Sequence, residues 1–140
     1  MNKSLYIAVI GCGRLDSILA SDLSKQGHQV VVIDRHKSAF NNLNAEFSGF
    51  SVDGNAAELK VLQAAKLDRA KVAISVTGKD NLNITVSQLA KNVFDVPIVL
   101  TRILDPVREK IYHQISLTTI STTKISAAAF IDTLRQQLDE

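Results

Sequence analysis

The sequence predicts an α/β fold, a doubly wound parallel sheet of six strands with helices on both faces. Short apolar runs alternate with amphipathic stretches along the chain, beginning with residues 5–10. That first run is almost entirely apolar, as expected of a parallel strand covered on both faces. A strand, a helix and a second strand follow within about 30 residues, which implies a right-handed parallel crossover. Repetition of this unit predicts the strand order 3-2-1-4-5-6.

Each element follows from its own local pattern. Apolar residues recur at helical spacing from Leu15, and Gly27 is a good stop for this first helix. Asp80 or Asn81 can cap a later helix, and Asp105 followed by proline opens a short one. The strands are predicted over residues 5–10, 28–34, 50–53, 71–76, 97–103 and 117–121. The helices are predicted over 15–27, 38–47, 57–65, from 80 or 81 to 90, from 105–106 onward, and over 123–138.

Length and composition indicate a single domain, assigned to residues 1–140. Its 16 basic and 14 acidic residues are scattered, so no basic stripe predicts binding to nucleic acid. A lone cysteine, Cys12, excludes an intrachain disulfide and fits a reducing compartment. No apolar run approaches the ~18 residues of a membrane helix, and the first run is too short for a signal peptide. The chain is therefore expected to be cytoplasmic.

A glycine turn joins the first strand to the first helix. Gly11 and Gly13 occupy the first two glycine positions of G-x-G-x-x-G, whereas the third position is Asp16. In such a turn, backbone N–H groups at the helix N-terminus hold the phosphates of a nucleotide. Asp34 ends the second strand at about the 20-residue spacing expected of an acid that binds the ribose diol. The pattern predicts a nucleotide site at the carboxyl ends of strands 1 and 4, where the strand order reverses.

The residues around the turn narrow the ligand class. The carboxylate of Asp34 would repel a 2′-phosphate, which favours NAD(H), ATP, ADP or AMP over NADP(H), although the neighbouring Arg35 leaves that exclusion incomplete. Arg14 can pair with the phosphates through its guanidinium, or it can be an exposed residue of the first helical turn. Asp16 brings bulk and a negative charge toward the phosphates; alternatively, it is a first-turn acid that complements the helix dipole.

The sequence contains no catalytic set. His28, His36 and His113 have no cysteine or carboxylate partners at metal-ligand spacing, so no metal site is predicted. No serine lies in a nucleophile-elbow context. The sequence therefore predicts binding without chemistry.

Several segments together resemble the RCK or KTN domain of the TrkA-N type. They cover essentially the whole chain and are residues 10–15, 19–20, 27–28, 31–35, 53–56, 77–78, 101–102 and 105–106. Domains of this family are the cytosolic nucleotide-binding modules of Trk- and Ktr-type potassium uptake systems and of related potassium channels and antiporters. The Gly-Asn-Ala segment at 54–56 and the Asp-Pro pair at 105–106 are not general features of dinucleotide folds.

The resemblance implies a regulatory, non-enzymatic subunit that binds NAD(H) or ATP, ADP or AMP in a Rossmann-like fold. It also implies dimers within rings, on the inner face of the membrane beneath a membrane-embedded potassium transporter or channel. The resemblance carries the phosphate contacts to Gly11, Gly13 and Arg14, the ribose contact to Asp34, and the border of the adenine to Asn55 and Ala56. The remaining expected cofactor-binding residues are Cys12, Leu15, Arg35, Thr77, Gly78 and Arg102.

Two departures from the family keep alternatives open. Asp16 replaces the family's glycine, so a degenerate scaffold that no longer binds nucleotide is one alternative. The smaller C-terminal ligand-sensing lobe is missing, which leaves either a natural short form or a fragment. An NAD-dependent oxidoreductase domain cut from a larger enzyme is the alternative from a different functional class.

The last helix, residues 123–138, is predicted to contact a partner chain. Its apolar residues cover more of the circumference than one core-facing stripe requires, and they are Ile125, Ala129, Phe130, Ile131, Leu134 and Leu138. Because large exposed apolar patches are rare on monomers, we expect a symmetric homodimer with Phe130 and Leu134 at the contact. The alternative is an amphipathic helix that folds back on its own sheet.

Overall fold

A computed structural model describes residues 3–139 and contains one six-stranded parallel sheet in the order β3-β2-β1-β4-β5-β6. The strands are β1 (Tyr6–Ile10), β2 (Gln29–Asp34), β3 (Phe50–Asp53), β4 (Val72–Ser75), β5 (Ile98–Ile103) and β6 (Thr118–Ser121). The helices are α1 (Arg14–Lys25), α2 (Leu59–Ala64), α3 (Asp80–Asn92), α4 (Glu109–Gln114) and α5 (Thr122–Leu138). The predicted fold class and strand order are confirmed.

Two apolar layers cover the faces of the sheet. On one face, Ala8, Ile10 and Val31 pack with the apolar residues of α2 and α3. On the other face, Val9 and Val32 pack with α1 and with a 3-10 helix over Lys37–Asn42. β1 and β2 are buried on both faces, which is why they are almost continuously apolar in the sequence.

The helix predicted over 38–47 is wrong. Only the 3-10 helix Lys37–Asn42 forms, and the backbone is extended at Leu43. Two asparagine side chains explain the early stop, because such side chains offer the backbone local alternatives to a helix. Asn42 donates its side-chain N–H to the carbonyl of Cys12, and the Asn44 side chain accepts the N–H of Glu46.

The cap predicted at Asp80 or Asn81 is also wrong. Lys79 is the N-cap residue of α3, and no side chain caps it. The carboxylate of Asp80 instead accepts the N–H groups of Leu104 (2.7 Å) and Asp105 (3.0 Å). This acid therefore ties the start of α3 to the loop after β5.

Other boundaries agree with the sequence. α1 ends just before Gly27, whose φ of +97° is the left-handed conformation that favours glycine at a helix end. The side chain of Asp105 accepts the N–H of Val107 and starts the 3-10 helix Pro106–Arg108, as the cap-then-proline pattern predicts.

The terminal helix α5 leaves the sheet. It begins directly after β6, where the hydroxyl of Ser121 accepts the N–H of Lys124, and none of its residues is buried. Phe130 is 79% exposed and Leu134 is 58% exposed. In this structure the helix does not fold back on its own sheet. No helix within residues 3–139 is long and apolar enough to cross a membrane.

Candidate functional site

The glycine turn requires glycine at its first position. Gly11 has φ of +116°, and a Cβ there would collide with a carboxylate oxygen of Asp16 and lie 3.3 Å from the backbone nitrogen of Thr77. Gly13 has room for a Cβ and serves as the N-cap residue of α1. The turn thus brings the end of β1, the start of α1 and the end of β4 into contact.

Two of the chain's own carboxylates bind the N–H groups of this turn. Asp34 accepts the N–H of Cys12 and Asp16 accepts the N–H of Gly13, each at 2.9 Å. Asp16 is the third residue of α1 and is only 4% exposed. It therefore acts as a first-turn acid, and it also lies against the phosphate-binding part of the predicted site.

Burial has the largest effect on the pKa of the Asp16 carboxyl. Desolvation raises the pKa of this carboxyl, while the Gly13 N–H and the positive charge of Arg102 lower it by less. The negative charge of Asp34 adds a small increase. Asp16 is consequently easier to protonate in the folded chain than in an unfolded one.

Asp34 is held rigidly at the end of β2. Its second carboxylate oxygen accepts the N–H of His36 at 2.7 Å, so both oxygens bind backbone groups. Each carboxylate oxygen has two lone pairs, which leaves capacity for the hydroxyls of a ribose.

A cavity of about 410 Å³ opens at the carboxyl ends of the strands, and we call it the strand-end cavity. Among the predicted site residues, its walls contain Gly11, Asp34, Arg35, Asn55, Ala56, Thr77 and Gly78. His36 and Lys79 add further basic groups to its rim. Ligand pockets in proteins have volumes of about 300–1,000 Å³, and in doubly wound sheets they lie where the strand order reverses. The strand-end cavity agrees with both its expected volume and its expected position.

A second cavity of about 500 Å³ lies beside the N-terminus of α1, and we call it the turn cavity. It shares Gly11, Asp34, Thr77 and Gly78 with the strand-end cavity. Its further predicted residues are Gly13, Arg14, Leu15 and Arg102. Two guanidinium groups and a helix N-terminus favour an anion here, and Asp16 opposes one.

Cys12 is the one predicted site residue that lines neither cavity. Its side chain is fully buried in the apolar layer beneath α1. Burial raises the pKa of the thiol to about 11, and the charges of Asp34 and Asp16 add to the increase. The thiol is therefore neutral and unreactive near pH 7. Only the backbone of Cys12 belongs to the candidate site.

Asn83 is a site residue that the sequence interpretation missed. It is fully buried, and its Oδ1 accepts hydrogen bonds from the N–H (2.9 Å) and the hydroxyl (2.6 Å) of Thr77. Its Nδ2 donates to the carbonyls of Thr77 and Arg102, both at 3.1 Å. Asn83 therefore holds the segment after β4 and the end of β5 in fixed positions, and both segments line the turn cavity. The available signal was an asparagine on the helix face that also carries Val86 and Ala90.

No group of three or more histidine, cysteine or acidic side chains within the described part of the chain could hold a metal ion. Of the three histidines, His28 is half-buried and its Nδ1 accepts the N–H of Leu5. His36 and His113 are exposed. These geometries show structural roles or solvent exposure and no ligand set.

Sequence comparison identifies relatives over most of this structure. The family model of the TrkA-N domain matches residues 7–123. The Trk system potassium uptake protein TrkA of Streptomyces coelicolor is 36% identical over 123 residues, which are 88% of this chain and 55% of that protein. The TrkA homolog of Pyrococcus horikoshii is 32% identical over 111 residues, 79% of this chain and 49% of that protein. The chain thus spans about half the length of the curated relatives it matches.

Solved structures at lower identity share the fold. The RCK domain of GsuK superposes with a TM-score of 0.82 at 21% identity, covering 95% of this chain and 28% of that one. The AMP-bound Kef C-terminal domain of Shewanella denitrificans gives a TM-score of 0.80 at 19% identity, covering 94% of this chain and 81% of that one. GsuK has also been solved bound to ADP and bound to NAD.

Proposed function

Because this chain belongs to the TrkA-N domain family, we propose that it is a regulatory domain that binds an adenine nucleotide and controls a potassium transporter or channel. The observation that carries this proposal is the pair of adjoining cavities at the reversal of strand order. They are bounded by a glycine turn, a helix N-terminus, a strand-end acid and two arginines. These are the groups that a nucleotide needs for its ribose and its phosphates.

The two cavities suit different parts of the ligand. The adenosine occupies the strand-end cavity, with its ribose hydroxyls on Asp34 and its adenine beside Asn55 and Ala56. The phosphates occupy the turn cavity, where Arg14 and Arg102 supply positive charge. Supporting this arrangement, Asp34 lines both cavities and therefore lies at the junction that the ribose would fill.

The ligand class is NAD(H), ATP, ADP or AMP. Structural neighbours with this fold have been solved with AMP, ADP and NAD. The carboxylate of Asp34 disfavours the 2′-phosphate of NADP(H) at the same position. We infer that this chain controls potassium transport and does not catalyse a reaction on the nucleotide, because its relatives are named potassium uptake proteins.

Asp16 supports one competing function, a scaffold that assembles without nucleotide. The N–H of Gly13 already donates a hydrogen bond to the Asp16 carboxylate and is therefore not free to donate to a phosphate. A nucleotide must therefore bind through the remaining donors of the first turn of α1 and the two arginines, or displace Asp16.

Assembly is the second part of the proposal. We place the chain in the cytoplasm, as a symmetric homodimer or a larger ring beneath its membrane partner. In α5, Phe130, Ile131, Leu134 and Leu138 are exposed, and Ile125 is also 59% exposed although it lines a groove of its own domain near the start of the helix. A second chain seated on that exposed side would remove this apolar surface from water.

Calorimetric titration of the purified chain with NADH, ATP, ADP and AMP tests the nucleotide proposal. Saturable binding of at least one of the four, at one ligand per chain, is the expected result. Absence of heat with all four, from a chain whose circular dichroism shows it to be folded, would favour the scaffold over the nucleotide-binding domain. NADH oxidation coupled to a reducible substrate would instead favour an oxidoreductase.

A further inference from the structure

Arg102 lies where the turn cavity meets a second, apolar space. This space is a groove of about 570 Å³ between α1 and the start of α5, and we call it the α1–α5 groove. Leu15, Val76 and Arg102 line both the groove and the turn cavity. A group that enters the turn cavity therefore contacts side chains that also line the groove beside the start of α5.

The guanidinium of Arg102 makes a direct connection to α5. Its Nε donates to the hydroxyl of Thr122 at 3.0 Å, and its Nη1 donates to the carbonyl of Val76 at 3.3 Å. Thr122 is the first residue of α5. Within residues 3–139, no protein acceptor is found for Nη2, so this end of the guanidinium can donate to a ligand.

Few contacts fix the direction of α5. No residue of the helix is buried, and its polar attachments lie in the first turn. Besides the Arg102 bond, Thr123 donates to the carbonyl of Leu104 at 2.7 Å, and Lys124 pairs with Glu109 at 2.8 Å. Loss of one attachment among so few should therefore change how the helix is held.

We propose that Arg102 couples the turn cavity to α5, so that a phosphate in the cavity withdraws the guanidinium from Thr122 and releases the start of the helix. The inference rests on the proposed function, since it needs a phosphate-bearing ligand. Hydrogen bonds between a guanidinium and a phosphate are shorter and stronger than a bond to a neutral hydroxyl. The free chain therefore keeps the Arg102–Thr122 bond, and the phosphate-bound chain replaces it with a bond to the ligand. This difference allows the ligand to shift the equilibrium between the attached and the released start of α5.

This coupling gives a nucleotide-binding domain a physical route to its assembly surface. Phe130 and Leu134, on the exposed side of α5, follow the first turn of the same continuous helix. A change in the direction of that turn consequently moves both side chains. The regulated output is the presentation of α5 to another chain.

Hydrogen exchange of the amides of residues 124–127, which donate to acceptors at the start of α5, tests the coupling in the full chain. ADP and NAD⁺ are the phosphate-bearing probes, and adenosine is the probe that lacks phosphate. Thr122→Val removes the acceptor of Arg102 while keeping the side-chain shape. Thr123→Val is the matched control, because it removes a hydroxyl bond of the same turn that does not involve Arg102.

In the wild type and in Thr123→Val, we expect ADP or NAD⁺ to speed exchange of these amides by roughly threefold or more, and adenosine to leave it unchanged. In Thr122→Val the same amides should exchange fast without ligand, and the nucleotide should add nothing although it still binds. A nucleotide response in Thr122→Val equal to that of the wild type would overturn the coupling. Failure of both nucleotides to bind the wild type, measured separately by calorimetry, would overturn the proposed function and the coupling with it.

Discussion

Asp16 and Asp34 give the candidate site its individual character, because each accepts a backbone N–H of the glycine turn. The G-x-G pattern and the spacing to Asp34 were sufficient to predict that Gly11, Gly13 and Asp34 come together, and in the structure they line one cavity. The sequence could not predict that Asp16 turns back onto Gly13, because that contact depends on how closely α1 approaches β1. Asn83 was missed for a similar reason, since its role depends on the ends of β4 and β5 meeting above α3.

Replacement of Asp34 should weaken nucleotide binding. Asp34→Ala removes the acceptor of the ribose hydroxyls, and we expect a loss of about 1.5–3 kcal/mol in calorimetric binding free energy, the usual scale of a hydrogen bond to a charged group. Asp53→Ala is the matched control, because Asp53 pairs with Asp34 in register on β3 but lines neither cavity. Equal affinity of Asp34→Ala and the control would remove Asp34 from the ribose site.

Replacement of Asp16 should strengthen nucleotide binding. Asp16→Gly frees the Gly13 N–H and removes a negative charge beside the phosphates, with an expected gain of up to about 3 kcal/mol for a charge near 6 Å at an effective dielectric of 20. Asp16→Asn removes the charge but keeps a side chain of the same size, so comparison of the two variants by calorimetry separates charge from space. Unchanged or weaker binding in both variants would show that the carboxylate does not oppose the ligand.

Asp16 should also leave a signature in the pH dependence of stability. Because its pKa is raised in the folded chain, protonation stabilises the fold, and this contribution grows as pH falls from neutral toward the ordinary value of 3.8. Denaturant unfolding at several pH values should therefore show the wild type gaining stability relative to Asp16→Asn on acidification. A difference between the two that is constant with pH, or that changes in the opposite direction, would contradict the buried position of the carboxylate.

At the scale of elements, the apolar periodicity predicted the six strands and most helices. It failed over 38–47, where two asparagine side chains bind nearby backbone groups and stop the helix after Asn42. The residue preference for N-caps failed at the start of α3, where Asp80 binds the loop after β5 in place of its own helix. Both errors have one cause: a polar side chain has several possible partners, and the fold selects among them.

The element with the clearest prediction is α5. Phe130→Glu combined with Leu134→Glu places two charges on its exposed apolar side, and light scattering at micromolar concentration should show a monomer where the wild type is a dimer. Gln136→Glu is the control, because Gln136 lies on the opposite side of the helix and is exposed. A wild type that is already monomeric, or a double variant that stays dimeric, would rule out this contact.

At the scale of the whole molecule, the alternation of strands and helices fixed the sheet order, and the sheet order fixed the position of the cavities. The alternation alone does not indicate which chain covers α5; the wide apolar surface of that helix led to the prediction of a partner contact, and in this structure the helix is exposed. The proposed function therefore uses two separate regions of the molecule: the cavities at the strand ends for the ligand, and the exposed side of α5 for assembly. Arg102 lies between them.

The most direct test of the nucleotide site is a nuclear magnetic resonance titration of the ¹⁵N-labelled chain with ADP and, in parallel, NADH. With at least one of them, saturable amide shifts should concentrate on the strand ends and the first turn of α1, including the glycines Gly11, Gly13, Gly54 and Gly78. The amide of Gly13 additionally reports whether the Asp16 carboxylate is displaced. Gly27, at the opposite end of α1, should not move. No saturable shifts with either ligand, or shifts centred on the α1–α5 groove and away from these glycines, would contradict a nucleotide site at the reversal of strand order.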